Sequence, residues 1–488
     1  MRRWIVALLC VLAPAVAGAQ TFQDFISRLY ATPDSLRQAL VDSFTTAVPR
    51  SPVIDRDTVC SYYWRGSAGT VTVPGDANGW SASAFPMARV PATDLWYYTR
   101  NFESDARLDY KYVTNGSTWI LDPRNPNTVS GGYGPNSELR MPRHVPPPEI
   151  VYDPGIPHGA LRDTTWYSYN LGNARVVRIY TPPGYSASQD SFPVVVFHDG
   201  LEYVTLAYAN NVLDYLISRG RIRPVIGVFI PPVNRTAEYA GSQINQFTAF
   251  VANEIIPFMD AAYRTRRHPQ WRATLGASNG GNIALWLGYA RPDVFGNVAA
   301  HSSNVIDTIA RGLQSRPLLP LRFYLDIGTY DIAVLIPLVR NLRGILQTKG
   351  YPHRYQELHD GHSWGNWRMH IDDALEYFFP GPAVGVGGDE AAPGLPEGMR
   401  LEQNYPNPFN GATVIRFSVN RGEVQSAKRV RLAVYDLLGR EVAVLMDGVV
   451  GSGVHAVEFR AEGLSSGVYL YRLTAGGNVI TRKLAYIR

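Results

Sequence analysis

Between residues 151 and 380 the apolar residues fall in short, near-continuous runs that alternate with stretches of helical spacing. The runs at 176–180, 194–197, 226–230, 273–275, 298–300, 323–327 and 354–358 predict strands, and 248–262, 280–290 and 332–347 predict helices. A strand apolar at every position is buried on both faces, so the alternation predicts a mostly parallel sheet covered by helices on each side. Residues 22–47 carry helical spacing on either side of Thr32-Pro33-Asp34, which reads as a helical hairpin or one interrupted helix. From 52 to 143 the runs shorten to 58–64, 71–73, 95–98 and 108–112, with Gly, Asn, Asp and Pro between them, a β-sandwich pattern. A similar pattern returns over 401–488, where Gly476-Gly477-Asn478 reads as a hairpin turn. Residues 142–148, with three consecutive prolines, and the Gly/Pro/Ala run at 381–399 read as linkers. The organisation expected is a leader at 1–19, a helical lead-in at 20–50, a β-sandwich at 51–145, an α/β domain at 151–380, a linker at 381–399 and a second β-sandwich at 400–488.

The leader rests on MRRWIVALLCVLAPAVAGAQ: two arginines, an apolar stretch from Trp4 to Val16, then Ala17-Gly18-Ala19 before a cleavage point. That stretch is shorter than the roughly 20 apolar residues a membrane helix needs, and no later segment reaches that length. Removing Arg2 and Arg3 with the leader takes the formal charge of +5 down by two, to +3. No Lys/Arg cluster accompanies the excess, so nucleic acid is not implied. With 45% apolar and 18% charged residues the chain is core-forming. Cys10 leaves with the leader and Cys60 stays alone, so stability comes from packing without an intrachain disulfide.

Candidate chemistry begins at Gly276-Ala277-Ser278-Asn279-Gly280, a G-x-S-x-G run between a strand ending at Leu275 and the helical NIALWLGYA. In that context the serine sits on a sharp strand-to-helix turn as a nucleophile, and the amide of Asn279 at the helix start donates to an oxyanion. The fold class is therefore an α/β-hydrolase fold flanked by two β-sandwich domains. In the hydrolase chain order the acid and the histidine follow the serine. His362, in the loop His359-Asp360-Gly361-His362, is the histidine chosen and His359 its alternative; Trp364 and Trp367 could wall the site. Asp331, in the loop after 323–328, is the acid chosen, with Asp326 behind it and Glu357 and Asp360 further back. The second oxyanion amide comes from His198-Asp199-Gly200-Leu201, with Asp199 and Leu201 as candidates. His359 and His362 share an H-x-x-H spacing, but a catalytic zinc wants a third ligand and none is evident nearby, so no metal or cofactor is expected.

Several motifs make the resemblance specific. From 168 to 379 the chain resembles the putative esterase family of esterase D, enterochelin esterase and feruloyl esterases: VVRIYTPPGYS, VVVFHDG, Arg235-x-x-Glu238-Tyr239, LGASNGG, IGTYD and GHSWGNWR occur in the family's order. The resemblance puts the nucleophile on Ser278, the acid on Asp331 and the histidine on His362, and implies pocket or loop-fixing roles for Arg235 and Glu238, which otherwise read as a surface ion pair. The 52–143 segment, with PGDANGW, LDYKYVTNG and WILDPRNP, resembles glycogen-binding, early-set immunoglobulin-like modules, which implies glycan contacts through Trp80, Trp96 or Trp119, or simple packing on the catalytic domain. Residues 401–488, with LEQNYPNPFNGAT, VYDLLGREVAVL and LSSGVYLYRLTAG, are similar to type A sorting domains of type IX secretion. That implies partners in the secretion machinery, passage through the periplasm, and a secreted or cell-surface product, often with the tail removed.

The expected function is a secreted serine esterase acting on carboxylic esters, feruloyl or acetyl esters on polysaccharide fragments before a siderophore ester. A peptidase or lactonase uses the same triad. The readings from other classes are a carbohydrate-binding surface protein with a degenerate hydrolase domain, and a structural or adhesive surface protein that needs neither Ser278 nor a pocket.

Overall fold

The computed structural model describes residues 21–381 and, within 399–487, all but 402, 403, 405, 420–427, 451, 452, 476 and 477. The predicted leader, most of the 381–399 linker and the Gly476-Gly477 turn lie outside the described residues. The chain divides into two compact units, 1–384 and 385–488.

The first unit is built on one long mixed sheet. Its strands are β1 (Arg107–Tyr110), β2 (Thr128–Gly131), β3 (Gly134–Arg140), β4 (Ala160–Ser168), β5 (Asn173–Thr181), β6 (Val194–His198), β7 (Ile226–Ile230), β8 (Arg272–Ala277), β9 (Asn297–His301), β10 (Arg322–Tyr330) and β11 (His353–Gly361). They lie in the order β4-β5-β7-β6-β8-β9-β10-β11-β1-β3-β2. From β7 to β11 neighbouring strands are parallel, while β4 and β5 are antiparallel additions at one side. The unbroken apolar runs are explained by their two destinations. Val195 and Phe197 pack with Leu213, Leu216, Ile371 and Leu375 on one face, while Val194 and Val196 pack with Phe250, Ile255, Met259 and Ile283 on the other. Successive side chains of a strand point to opposite faces, and each such burial contributes about 1.5–3 kcal/mol.

The structure adds helices Ala209–Ser218, Asp307–Ser315 and Ile371–Phe378 to the expected set, and two further elements differ from it. β4 is absent from the predicted set because its edge position leaves most of its residues exposed, so it lacks an apolar run. The helix predicted at 248–262 starts earlier and passes from Ile244–Ala249 through a π-helical stretch, Phe250–Ile255, to Ile256–Ala262. Pro257, with no N–H to donate, sits where the hydrogen-bond ladder resumes its ordinary register.

Helices Phe22–Ala31 and Asp34–Ala47 form the lead-in, the first opened by a reciprocal cap between Thr21 and Asp24. They bury Phe22, Phe25, Leu29 and Val41 against Tyr63 and Leu95 of the β-rich segment that follows. That segment holds one sheet from Val53–Asp55, Val59–Arg65, Leu95–Asn101 and Ala88–Arg89, and a second from Val71–Thr72, Tyr112–Thr114 and Thr118–Ile120. Its remaining strands, β1 to β3, continue the central sheet through a parallel bridge between Arg107 and Asp360 of β11. Cys60 is fully buried in its core, and burial pushes the thiol well above its ordinary range.

In the second unit, Met399–Leu401, Ala412–Val419 and Gly453–Arg460 form one antiparallel sheet, and Glu441–Val450, Lys428–Tyr435, Gly467–Ala475 and Asn478–Tyr486 another. Ile415, Phe417 and Phe459 of the first sheet share a core with Leu432, Val434, Tyr471, Leu473 and Leu484 of the second, a small β-sandwich. No helix among the described residues is long and apolar enough to cross a membrane.

Because one sheet runs through both segments of the first unit, residues 21–381 are expected to unfold in a single transition, with equal calorimetric and van't Hoff enthalpies. Two resolved calorimetric peaks would mean that the β-rich segment melts independently.

Candidate active site

Ser278 lies between the end of β8 and the helix Asn279–Ala290, with φ 57° and ψ −122°. A non-glycine residue rarely adopts that backbone, and it persists only where its surroundings over-determine it. Here the Ser278 amide donates to the His301 carbonyl at 2.9 Å, and the Ser278 carbonyl accepts from Asn282 at 3.1 Å and from Asn304 at 3.2 Å. A Cβ on Gly276 would strike the Gly280 backbone, so the first glycine of the motif lets strand and helix meet.

β10 and β11 end beside this turn, and the loops after them bring in the other two groups. His362 Nε2 is 3.0 Å from Ser278 Oγ, and His362 Nδ1 is 2.7 Å from Asp331 Oδ1. An ionised carboxylate only accepts, so Nδ1 carries the proton and Nε2 is left to accept from the serine hydroxyl. The Asp331 side chain is shut off from solvent, whereas that of His362 keeps 18% of its exposure. Asp331 Oδ1 also accepts from the Ile332 amide at 2.6 Å, which fixes the carboxylate in its loop.

The alternatives go elsewhere. Asp326 is buried and bonded to His301 Nδ1 at 2.5 Å. His359 is paired at 2.7 Å with Asp105, Glu357 is held by Arg340, and Asp360 faces His370 at 3.5 Å. His198 is a buried structural imidazole, 2.8 Å from Thr274 Oγ1, and burial pushes it down to about 3.

Of the oxyanion candidates, Asn279 is the first residue of its helix and Leu201 is in the first turn of Gly200–Thr205, where amides have no partner within the helix. The Asp199 amide instead donates to Tyr239 Oη at 2.9 Å, so the Asp199 candidate is corrected: the bond removes its amide from the set. Its carboxylate is gripped on both edges by Arg235, at 2.7 Å each, and Arg235 also reaches the Ala277 carbonyl at 3.2 Å. Arg235 thus ties the loop after β6 to the strand carrying Ser278. Glu238 is corrected as a pocket residue. It has no exposed surface and is locked by Arg175 at 2.8 and 3.1 Å, a partner from β5 that also rules out a surface ion pair. Trp364 is buried edge-on against Tyr203 and Trp367, and Trp367 meets the His362 ring at 5.0 Å, so the tryptophans back the histidine. The His301–Asp326 pair had no sequence signal, because the two residues sit in different strands and meet only through the register of β9 on β10.

Among the tryptophans of the β-rich segment, Trp96 is buried in the core and unavailable to a glycan, whereas Trp80 and the exposed Trp119 stack with centroids 6.5 Å apart. A cavity of about 810 Å³, lined by Trp271, Arg322 and Phe379 among others, opens at the N-terminal end of β8 to β10, the end of the sheet away from Ser278.

Asp326→Asn should therefore lower stability by about 1–3 kcal/mol, the cost of spoiling a buried polar pair. Urea titration checks this, and an unchanged midpoint would remove the pair from the structural framework.

Residues 168–378 match the putative esterase family, and residues 403–487 match the secretion system C-terminal sorting domain. The uncharacterized protein YjcH of Bacillus subtilis is 24% identical over 234 residues, 45% of this chain and 97% of its own. The endo-1,4-beta-xylanase/feruloyl esterase of Xylanibacter ruminicola is 28% identical over 224 residues, 43% of this chain and 30% of its own. The crystal structure of ferric enterobactin esterase from Salmonella typhimurium shares the fold with a TM-score of 0.61 at 19% identity, over 69% of this chain and 98% of that one. The match of residues 168–378 to the putative esterase family supports a carboxylic ester hydrolase, and the sorting domain matched at 403–487 indicates secretion or display at the cell surface.

Proposed function

We propose that this hydrolase is a serine esterase with Ser278 as nucleophile, His362 as general base and acid, and Asp331 as the group that orients the imidazole. The observation that carries the reading is the continuous hydrogen-bond line from Ser278 Oγ through His362 to Asp331, at 3.0 and 2.7 Å. In the first half-reaction the Ser278 Oγ proton passes to His362 Nε2 as Oγ bonds to the ester carbonyl carbon. The amides of Asn279 and Leu201 hold the oxyanion, and the departing alkoxide takes the proton from Nε2. In the second half, water gives a proton to Nε2, attacks the acyl-enzyme and releases the acid, and the proton returns to Ser278.

For the substrate we favour feruloyl or acetyl esters on polysaccharide fragments. The sorting domain supports this, since a polymer is met outside the cell, and so does the similarity to a protein whose name joins a xylanase to a feruloyl esterase. A siderophore ester is the second reading; enterobactin esterases share the fold, and a fold by itself hosts many substrates. The β-rich segment would present the Trp80–Trp119 stack to a sugar ring. Trp119→Ala should then weaken retention on xylan affinity gels, and unchanged migration would argue against sugar binding there.

Ser278→Ala and Asp331→Asn should cut turnover of p-nitrophenyl acetate by roughly 10⁴-fold or more without unfolding the protein. Full activity in the serine variant would sink the mechanism. Methyl ferulate, acetylated xylan and a catecholate trilactone run side by side separate the substrate readings: preference for the trilactone would overturn the polysaccharide assignment.

A further inference from the structure

The segment after β11 that carries His362 is gripped, on both sides of the histidine, by residues from the β-rich segment. Before it, Asp360 makes the backbone bridge to Arg107, and His359 is paired with Asp105. Gly361 lies against the buried Asp76 carboxyl so closely that a Cβ would overlap it. Asp76 is itself fixed by the Asp109 amide at 2.7 Å and the Trp80 indole N–H at 2.9 Å. After the histidine, Arg107 Nη1 donates to Ser363 Oγ at 3.0 Å, the Gly365 backbone rests on the same guanidinium with no room for a Cβ, and Arg368 lies 3.6 Å from Glu138.

Arg107 has no exposed surface, and its other edges are held by Glu138 at 2.6 Å and Asp109 at 2.5 Å. A buried guanidinium with carboxylates on two sides has little freedom to turn, so its remaining N–H is a fixed point for Ser363. The acid loop is held from the same side: Tyr330, one residue before Asp331, donates to Glu103 at 2.6 Å and packs its ring on Phe102 at 5.8 Å.

The geometry points to Arg107 as a positioning residue that sets His362 through Ser363, which makes the β-rich segment an integral part of the esterase active site. The assignment rests on the triad reading above. Its physical basis is that a displacement of about 1 Å in a catalytic group is enough to cost on the order of 10²-fold in rate while leaving substrate affinity untouched.

Ser363→Ala removes the acceptor of the Arg107 hydrogen bond, together with the cap that Ser363 Oγ gives the Asn366 amide at 3.4 Å, and leaves the buried ion cluster whole, so the cycle with Arg107 separates the two contacts. Its kcat on p-nitrophenyl acetate should fall at least about tenfold with KM within about twofold, and fluorophosphonate labelling of Ser278 should slow in parallel. Ser363→Thr, which keeps the hydroxyl, should restore kcat. In a cycle with Arg107→Met the losses should be less than additive; if that variant fails to fold, the two Ser363 variants carry the test. A Ser363→Ala protein with kcat within twofold of the parent overturns the inference, as does a loss that follows unfolding in thermal melts and is not restored by threonine. Ser278→Ala and His362→Ala run beside them: activity surviving those two would overturn the triad and this inference with it, whereas their inactivity with a fully active Ser363→Ala overturns the positioning role alone.

Discussion

The reacting end of the molecule depends on one backbone conformation that an isolated chain would avoid. Ser278 is held at φ 57° between a strand and a helix, and its polar backbone groups are claimed by His301, Asn282 and Asn304. That turn throws Oγ clear of the sheet and leaves the Asn279 amide open at the helix start. The strain is sustained by the rigidity of what surrounds it: fully buried strands on both sides and a core layer on each face. The parallel strands then do the rest, because their C-terminal ends lie at one edge of the sheet, and the loops leaving β8, β10 and β11 arrive together there.

Electrostatics divides the ionisable groups of this region into two sets. His301–Asp326, Arg175–Glu238 and Arg235–Asp199 are spent on holding elements together, each with its partner within 3 Å. His362 and Asp331 are the pair whose free end points at Ser278 Oγ. Burial opposes ionisation of Asp199, and the Arg235 guanidinium works against that cost, so the pair serves as a joint between the loop after β6 and the end of β8.

The sequence made the central sheet legible because buried parallel strands write themselves as unbroken apolar runs, and it made Ser278 legible because the turn needs glycines at fixed offsets. Chain order and loop position put His362 and Asp331 ahead of His359 and Asp326 without deciding between them. What stayed hidden depends on contacts distant in sequence. Nothing near Asp326 announces that His301 will pair with it, nothing near Glu238 announces Arg175, and the Asp199 amide looks free until Tyr239 is folded against it. Edge strand β4 was missed because its exposed, polar face carries no strand signal. The bridge from Arg107 to Asp360 spans most of the first unit and involves a single residue on each strand, too little to leave a pattern.

That bridge also covers a sheet edge. In the central sheet, β11 has β10 on one side and β1 on the other. Without the β-rich segment, Asp360 at the end of β11 would lose its strand partner, and the last residues before His362 would lie on an open sheet edge. The C-terminal sandwich, a separate compact unit after a Gly- and Pro-rich stretch, has no strand in that sheet. A protein trimmed of residues 51–145 would thus carry an edge open to a foreign strand that one trimmed of the C-terminal sandwich would not.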